Sequence, residues 1–167
     1  MTRVIPSAKP EVFAALGKVN VYFAALESQI EFLTWSLINS EQMIGQIITS
    51  ELSFKGKVNL LSSIFIYRVE NEEHQDELDA ILTKAIQVEE RRNVVVHSQW
   101  LGGGPGPNHL RIKKTAKKGK GIKHQFVHVS TEEIEGIADD ASLVAGDLQD
   151  FLVKIHMPNP DMKTTEK

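Results

Sequence analysis

The chain has 167 residues, a formal net charge of −3, and 41% hydrophobic and 25% charged residues. This length favours one domain with a substantial core, and no apolar run is long enough to cross a membrane. The lack of cysteine excludes disulfides and thiolate metal sites, and no signal-peptide pattern is present. We therefore expect a cytoplasmic protein without a cofactor, and the scattered histidines do not favour a zinc site.

The first predicted helix begins at Pro10 and reaches about Asn39. Its apolar residues recur at alternating spacings of four and three, which indicates a long heptad-like seam. Phe13, Tyr22 and Phe32 widen the apolar surface, so we expect the helix to be buried against more than one neighbour. The seam consists of Val12, Leu16, Val19, Phe23, Leu26, Ile30, Leu33 and Leu37.

Two shorter helices are predicted next, one through residues 43–48 and one that starts after the capping residue Ser53. The fourth helix is predicted over residues 74–101 and ends before the glycine-rich stretch 102–107. Its apolar residues share one stripe, and Arg92 lies in the middle of that stripe. The stripe contains Leu78, Ile81, Leu82, Ala85, Val88 and Val96.

Residues 108–129 alternate between apolar and polar on both sides of a turn rich in Gly and Lys, which predicts a β-hairpin with one apolar face that packs on the helices. Ser130 and Glu133 form a capping box that starts the last helix. The predicted fold is mainly α, an up-and-down bundle of four to five helices with a β-hairpin inserted before the last helix. We expect a single domain over residues 1–157 and a flexible tail over residues 158–167.

Positive charge is concentrated in the predicted hairpin. Seven of the 19 Lys and Arg residues, and none of the 22 Asp and Glu residues, lie between residues 108 and 128. One interpretation is a solvated sheet edge that lysines protect from aggregation. The other is a surface that attracts a polyanion, with nucleic acid as the leading candidate. The cations are Arg111, Lys113, Lys114, Lys117, Lys118, Lys120 and Lys123.

The position of Arg92 on an apolar stripe marks the strongest candidate site. A guanidinium on a packing face needs an anionic partner, because an unpaired buried charge is costly. One interpretation is a structural ion pair, with Glu27 or Glu31 of the first helix as the acid. The other is a phosphate site.

Three further polar residues, Glu89, Asn93 and His97, follow one another at intervals of four and line one edge of the stripe. In the phosphate interpretation, Arg92 binds the anion through its planar and permanently charged fork, and Asn93 orients it. His97 would then move a proton, because the pKa of free imidazole lies near neutrality.

The sequence from Arg92-Asn93 to His97, near the end of a late helix, resembles the signature of the HEPN superfamily. That signature is an arginine, often followed by a polar residue, with a histidine after a gap of four to six residues. Glu27 is similar to the helix-borne acid of such domains, and segment 52–61 is similar to their second-helix region. The resemblance covers most of the helical part of the chain.

The resemblance implies a helical bundle that forms a two-fold homodimer, with both sites near the interface. Many members are metal-independent endoribonucleases, often toxins or defence effectors, that leave 2′,3′-cyclic phosphate ends on RNA. The implied catalytic residues are Arg92, Asn93 and His97, with Glu27 and Glu89 in support. RNA and an antitoxin or another protein are the implied partners.

The alternative is a non-catalytic helical module for dimerisation or regulation that binds protein. In that case Arg92 forms an ion pair with Glu27, and its loss chiefly lowers stability.

Overall fold

The computed structural model describes residues 8–38, 42–101, 109–117 and 121–156, with only the backbone of residues 113–117 and 123. The predicted fold class is confirmed, since these parts of the chain are mainly α with a small antiparallel sheet before the last helix. The predicted tail, residues 158–167, lies outside the described residues. The elements are α1 (Pro10–Ile38), α2 (Gln42–Ser50), α3 (Phe54–Arg68), α4 (Glu72–Val96), β1 (Gln99–Leu101), β2 (His109–Lys117), β3 (Gly121–Val129) and α5 (Thr131–His156).

The described chain divides into two compact units. The first contains α1 as far as Ala24 together with residues 87–142, and the second contains residues 25–86 together with the rest of α5. Because α1, α4 and α5 each contribute to both units, this division does not test the predicted single domain over residues 1–157.

The core of the first unit lies where the start of α1 meets the end of α4 and the start of α5. Trp100 and Val129 of the sheet pack against this core, and Trp100 Nε1 donates a hydrogen bond to the carbonyl of Val95 at 2.9 Å. The capping box that was predicted to start α5 is confirmed by hydrogen bonds in both directions between Ser130 and Glu133. The core residues are Ala8, Val12, Ala15, Val19, Val95, Ile134, Ile137 and Ala138.

The end of α4 differs from the prediction. The helix was expected to reach Leu101, but it ends at Val96, and Gln99–Leu101 form β1, which pairs antiparallel with β2. Three consecutive valines weaken the helix here, because β-branched side chains lose rotamers in a helical turn. Ser98 Oγ donates to the carbonyl of Val94 at 2.5 Å and so satisfies one of the last helical acceptors.

The predicted hairpin is present as β2 and β3, but the face that packs on the helices is not its apolar one. Arg111 donates to a carbonyl of α4, and His109 Nε2 lies 3.0 Å from the Thr131 hydroxyl of α5. On the opposite face, Ile122 and Phe126 are 67% and 64% exposed. The polar face is buried because the ends of α4 and α5 offer it hydrogen-bond partners.

The second unit has its own apolar core. The rings of Phe65 and Phe151 pack with their centroids 5.5 Å apart, and Trp35 Nε1 donates to Thr49 Oγ1 at 3.0 Å, which fastens α2 to α1. Ser53 caps α3 as predicted, since its hydroxyl accepts from the Gly56 amide at 3.2 Å. The other buried apolar residues are Leu26, Ile30, Leu33, Phe54, Val58, Leu61, Leu78, Ile81, Leu82, Ala85, Val144 and Leu148.

The seam of α1 is buried as predicted along most of its length, from Val12 to Leu33. The broader apolar surface is not: Phe13, Tyr22 and Phe32 are all exposed in this chain. The expectation that α1 is buried on more than one side is therefore wrong for the described residues of a single chain.

Candidate anion site on helix α4

The Arg92 guanidinium lies between α1 and α4 in the first unit and is partly buried. Its Nη1 donates to Asn93 Oδ1 at 2.9 Å, and its Nη2 donates to Asn20 Oδ1 at 3.4 Å. Its central carbon lies 4.8 Å from the centroid of the Phe23 ring, which is a cation–π distance. The guanidinium is thus held by two amides and one aromatic face.

None of these contacts neutralises the charge on Arg92. Among the residues that the structure describes, no carboxylate forms a salt bridge with it, and its Nε is buried without a hydrogen-bond acceptor. Amide oxygens accept hydrogen bonds but carry no net charge. The geometry leaves Arg92 with a full positive charge and a free donor, which are the properties that an anion site needs.

The acids that were expected to pair with Arg92 bind another cation. Lys57 Nζ donates to Glu27 Oε1 at 2.7 Å and to Glu31 Oε1 at 2.5 Å. The predicted ion pair between Arg92 and these glutamates is therefore wrong, because Lys57 of α3 already lies between the two carboxylates. Glu27 belongs to this cluster in the second unit rather than to the Arg92 site.

Asn93 is positioned by Glu89, one helical turn earlier. Its Nδ2 donates to Glu89 Oε1 at 3.4 Å, so its Oδ1 is turned toward the guanidinium of Arg92. This arrangement fixes which end of the amide faces Arg92. Glu89 supports the site through Asn93, as its spacing of four residues predicted.

His97 lies directly after the last residue of α4. Its backbone amide donates to the Asn93 carbonyl at 3.2 Å, which extends the helical hydrogen-bond pattern by one residue. The side chain is exposed, and within the described chain no group hydrogen-bonds to its imidazole. Its orientation relative to a substrate is therefore left to the substrate or to a second copy of the chain.

The hairpin cations fall into two groups. Arg111, predicted to bind nucleic acid, is only 9% exposed, and its Nη1 donates to the Val94 carbonyl at 3.3 Å and to Ser98 Oγ at 3.4 Å. It does not belong to an exposed cationic surface. The other six predicted cations have side chains outside the described residues: Lys113, Lys114, Lys117, Lys118, Lys120 and Lys123.

Sequence reasoning missed Asn20, which holds Arg92 from α1 and also donates to the Leu16 carbonyl at 3.0 Å. Asparagine is a poor residue in a helix interior, because its side chain competes for backbone hydrogen bonds. An asparagine in the middle of a long helix, one position after the seam residue Val19, was the available indication.

No protein-family model, curated protein or solved structure matches this chain. Among the described residues, no group of three or more His, Asp and Glu side chains is arranged to hold a metal ion. In the same part of the chain, no helix has the length and apolar character that a membrane span requires.

Proposed function

We propose that this chain is a HEPN-type protein that binds RNA and cleaves it without a metal ion, with Arg92, Asn93 and His97 forming the site. The observation that carries the proposal is the state of Arg92: partly buried, held by amides, and paired with no carboxylate among the described residues. A phosphate diester supplies the missing anion, and the planar guanidinium donates to it in pairs.

The proposed reaction is an internal transfer within RNA. The ribose 2′-oxygen attacks the adjacent phosphorus and loses its proton to one imidazole. The bond from phosphorus to the 5′-oxygen then breaks, and a second imidazole protonates that oxygen. The products are a 2′,3′-cyclic phosphate and a free 5′-hydroxyl. Arg92 stabilises the charge that develops on the phosphorane oxygens, and Asn93 holds Arg92 in place.

A second imidazole requires a second chain, so the proposal includes a two-fold homodimer in which the two His97 side chains share one site. The exposed apolar side chains of α1 support this step. Phe13 and Val21 are 56% and 68% exposed, and they flank Asn20 on the helix that holds Arg92. Exposed apolar surface of this kind is typical of protein interfaces.

The dimer is tested by sedimentation of Val21→Glu, which places a charge on this surface. We expect the variant to sediment as a monomer and to lose RNA cleavage, while wild type sediments as a dimer. Val153→Glu is the matched control, since Val153 is an exposed valine of α5 in the second unit. A monomeric wild type, or an unchanged Val21→Glu, would contradict the dimer.

The lysines of the hairpin are proposed to bring RNA to the site. Neutralising phosphates with lysines releases counterions, so RNA affinity should fall steeply as salt increases. Replacing Lys117, Lys118 and Lys120 by Gln should flatten this salt dependence and weaken binding to all RNA sequences alike. A salt dependence that does not change would remove the hairpin from the proposal.

The cleavage activity is tested with purified protein, mixed RNA and a metal chelator. We expect wild type to cleave and both His97→Ala and Arg92→Ala to lose activity by about a hundredfold or more. His156→Ala and Arg68→Ala are the matched controls, because both side chains are exposed and lie in the second unit. Equal activity in all five proteins, or none in wild type, would refute the catalytic assignment.

A second candidate function is supported by α2, which carries four exposed apolar side chains. Met43, Ile44, Ile47 and Ile48 are between 41% and 67% exposed. Such a surface fits a helical module that binds another protein. This alternative predicts that wild type leaves RNA intact and that Ile47→Glu, but not His97→Ala, abolishes capture of the partner.

A further inference from the structure

The first unit contains a pocket of about 530 Å³ between α4, the sheet and the start of α5. Much of its wall is apolar, formed by Val94, Val127, Val129 and Ile137. Pockets of this size with a few polar groups are typical of sites for small organic ligands. The pocket includes none of the three residues assigned to the RNA site.

Arg111 is the polar group that distinguishes this pocket. It lines the wall, is 9% exposed, and uses Nη1 for two long hydrogen bonds, at 3.3 and 3.4 Å. Its Nε is buried and has no acceptor. Within the described chain no carboxylate forms a salt bridge with Arg111. A buried guanidinium without a counter-ion is costly, and an anionic ligand would remove that cost.

The remaining charges of the pocket restrict which anion fits. Arg91 is bound to Asp140, so its charge is already neutralised. Glu90 and Glu133 contribute two carboxylates to the wall, against the single charge of Arg111. A phosphate dianion or an RNA backbone would meet this negative charge, whereas one carboxylate group can bind the guanidinium and leave the acids at a distance.

We propose that this pocket binds a small organic carboxylate with an apolar body. The carboxylate accepts from the Nε edge of Arg111, which requires a small shift of that side chain because Nε is closed to solvent. The apolar body lies against Val94, Val127 and Ile137. This ligand is bound independently of RNA.

The proposal is tested by calorimetric titration of the full chain with 3-phenylpropanoate, 4-methylpentanoate and octanoate. The comparison ligands are 3-phenylpropan-1-ol, which has the same body without charge, inorganic phosphate, and adenosine monophosphate. We expect at least one carboxylate to bind, and the alcohol to bind about tenfold more weakly or worse than 3-phenylpropanoate, since it lacks the charge-assisted hydrogen bond.

Gly136 offers a way to block the pocket without disturbing the fold. It lines the wall from α5, and a Cβ added there meets no atom within 4 Å. Gly136→Leu should therefore fold, fill the pocket and abolish carboxylate binding. Gly146→Leu is the matched control, because Gly146 is also open, lies on the same helix and does not line the pocket.

Arg111→Gln should weaken the bound carboxylate about tenfold or more, and Gly136→Leu still tests the pocket if that variant does not fold. The proposal is overturned if no carboxylate of the panel binds, if the alcohol or phosphate binds as tightly, or if Gly136→Leu leaves binding unchanged. RNA cleavage by Gly136→Leu should match that of wild type, so the two proposals fail separately.

Discussion

Arg92 shows how a charged side chain can be held in place without being neutralised. Its contacts are Asn93, Asn20 and the ring of Phe23, and each of them orients the guanidinium while leaving its charge intact. A salt bridge would stabilise the fold at this position but would compete with any anion from outside. The contacts of this one residue therefore favour binding over structural stability.

The replacement Arg92→Leu separates these two roles. It leaves no carboxylate without a partner and removes the buried Nε donor, so we expect the free energy of unfolding to change by less than about 1 kcal/mol. RNA binding at the site should be lost. Urea unfolding and RNA titration of the same preparations test this, and a loss of stability of about 3 kcal/mol or more would show that Arg92 is structural.

Residue identity predicted part of this site. Arg92 was recognised because its charge contradicts the apolar stripe around it, and the spacing of Glu89 and Asn93 predicted their contact. The partner of Arg92 was not predictable from these patterns, because Glu27 and Glu31 are equally suited to any cation. The choice of Lys57 depends on the packing of α3 against α1, which a helical period does not contain.

Among the elements, α1 and α3 are joined by the cluster of Lys57, Glu27 and Glu31. Burial lowers the pKa of Lys57, but its hydrogen bonds to Glu27 and Glu31 raise it more, so the net pKa lies above the ordinary value of 10.5. Because the folded-state pKa is the higher one, this contribution to stability is complete below pH 10.5 and is lost as the pH rises through the folded pKa.

Replacing Lys57 by Met should lower the free energy of unfolding by about 2–3 kcal/mol at neutral pH, because two partly buried carboxylates lose their cation. The alkaline loss of stability should also be smaller in this variant than in wild type. Lys84→Met is the control, since the pair of Lys84 with Asp147 is exposed and should contribute less than about 1 kcal/mol. Urea unfolding from neutral pH to above 10.5 measures both effects, and equal effects of the two replacements would contradict this account.

The contact between α1 and α2 predicts opposite effects for two replacements of glycine by alanine. A Cβ on Gly45 would lie 2.6 Å from Cδ1 of Trp35, so Gly45→Ala should destabilise the protein by about 1–3 kcal/mol despite the better helix propensity of alanine. Gly146→Ala meets no atom and should stabilise α5 by up to about 1 kcal/mol. Thermal unfolding decides the signs, and equal signs would contradict the close packing of α2 on Trp35.

The elements also show where patterns in sequence reach their limit. The helical period continued through Trp100, but β1 forms because β2 offers it a ladder of hydrogen bonds. The alternation of the hairpin predicted two strands correctly but not the buried face. Arg111 and His109 are buried through partners at the ends of α4 and α5, and these partners are far away in the sequence.

For the molecule as a whole, the first unit combines an anion site on α4 with a separate pocket lined by Arg111. Both contain an arginine without a carboxylate partner among the described residues, yet their surroundings differ. The Arg92 site is bordered by amides and an aromatic ring, which suits a phosphate, whereas the pocket carries two glutamates and apolar walls. The helical fold class followed from periodicity, while these two environments depend on tertiary packing.

The central claim is that Arg92 and His97 act on an RNA phosphate, and the chemistry of the RNA ends tests it most directly. Wild type and His97→Ala are incubated with one defined RNA in the presence of a chelator, and the fragments are analysed by mass spectrometry. The proposal predicts 2′,3′-cyclic phosphate and 5′-hydroxyl ends from wild type and intact RNA from His97→Ala. Intact RNA in both reactions, or the same fragments from both, would contradict it.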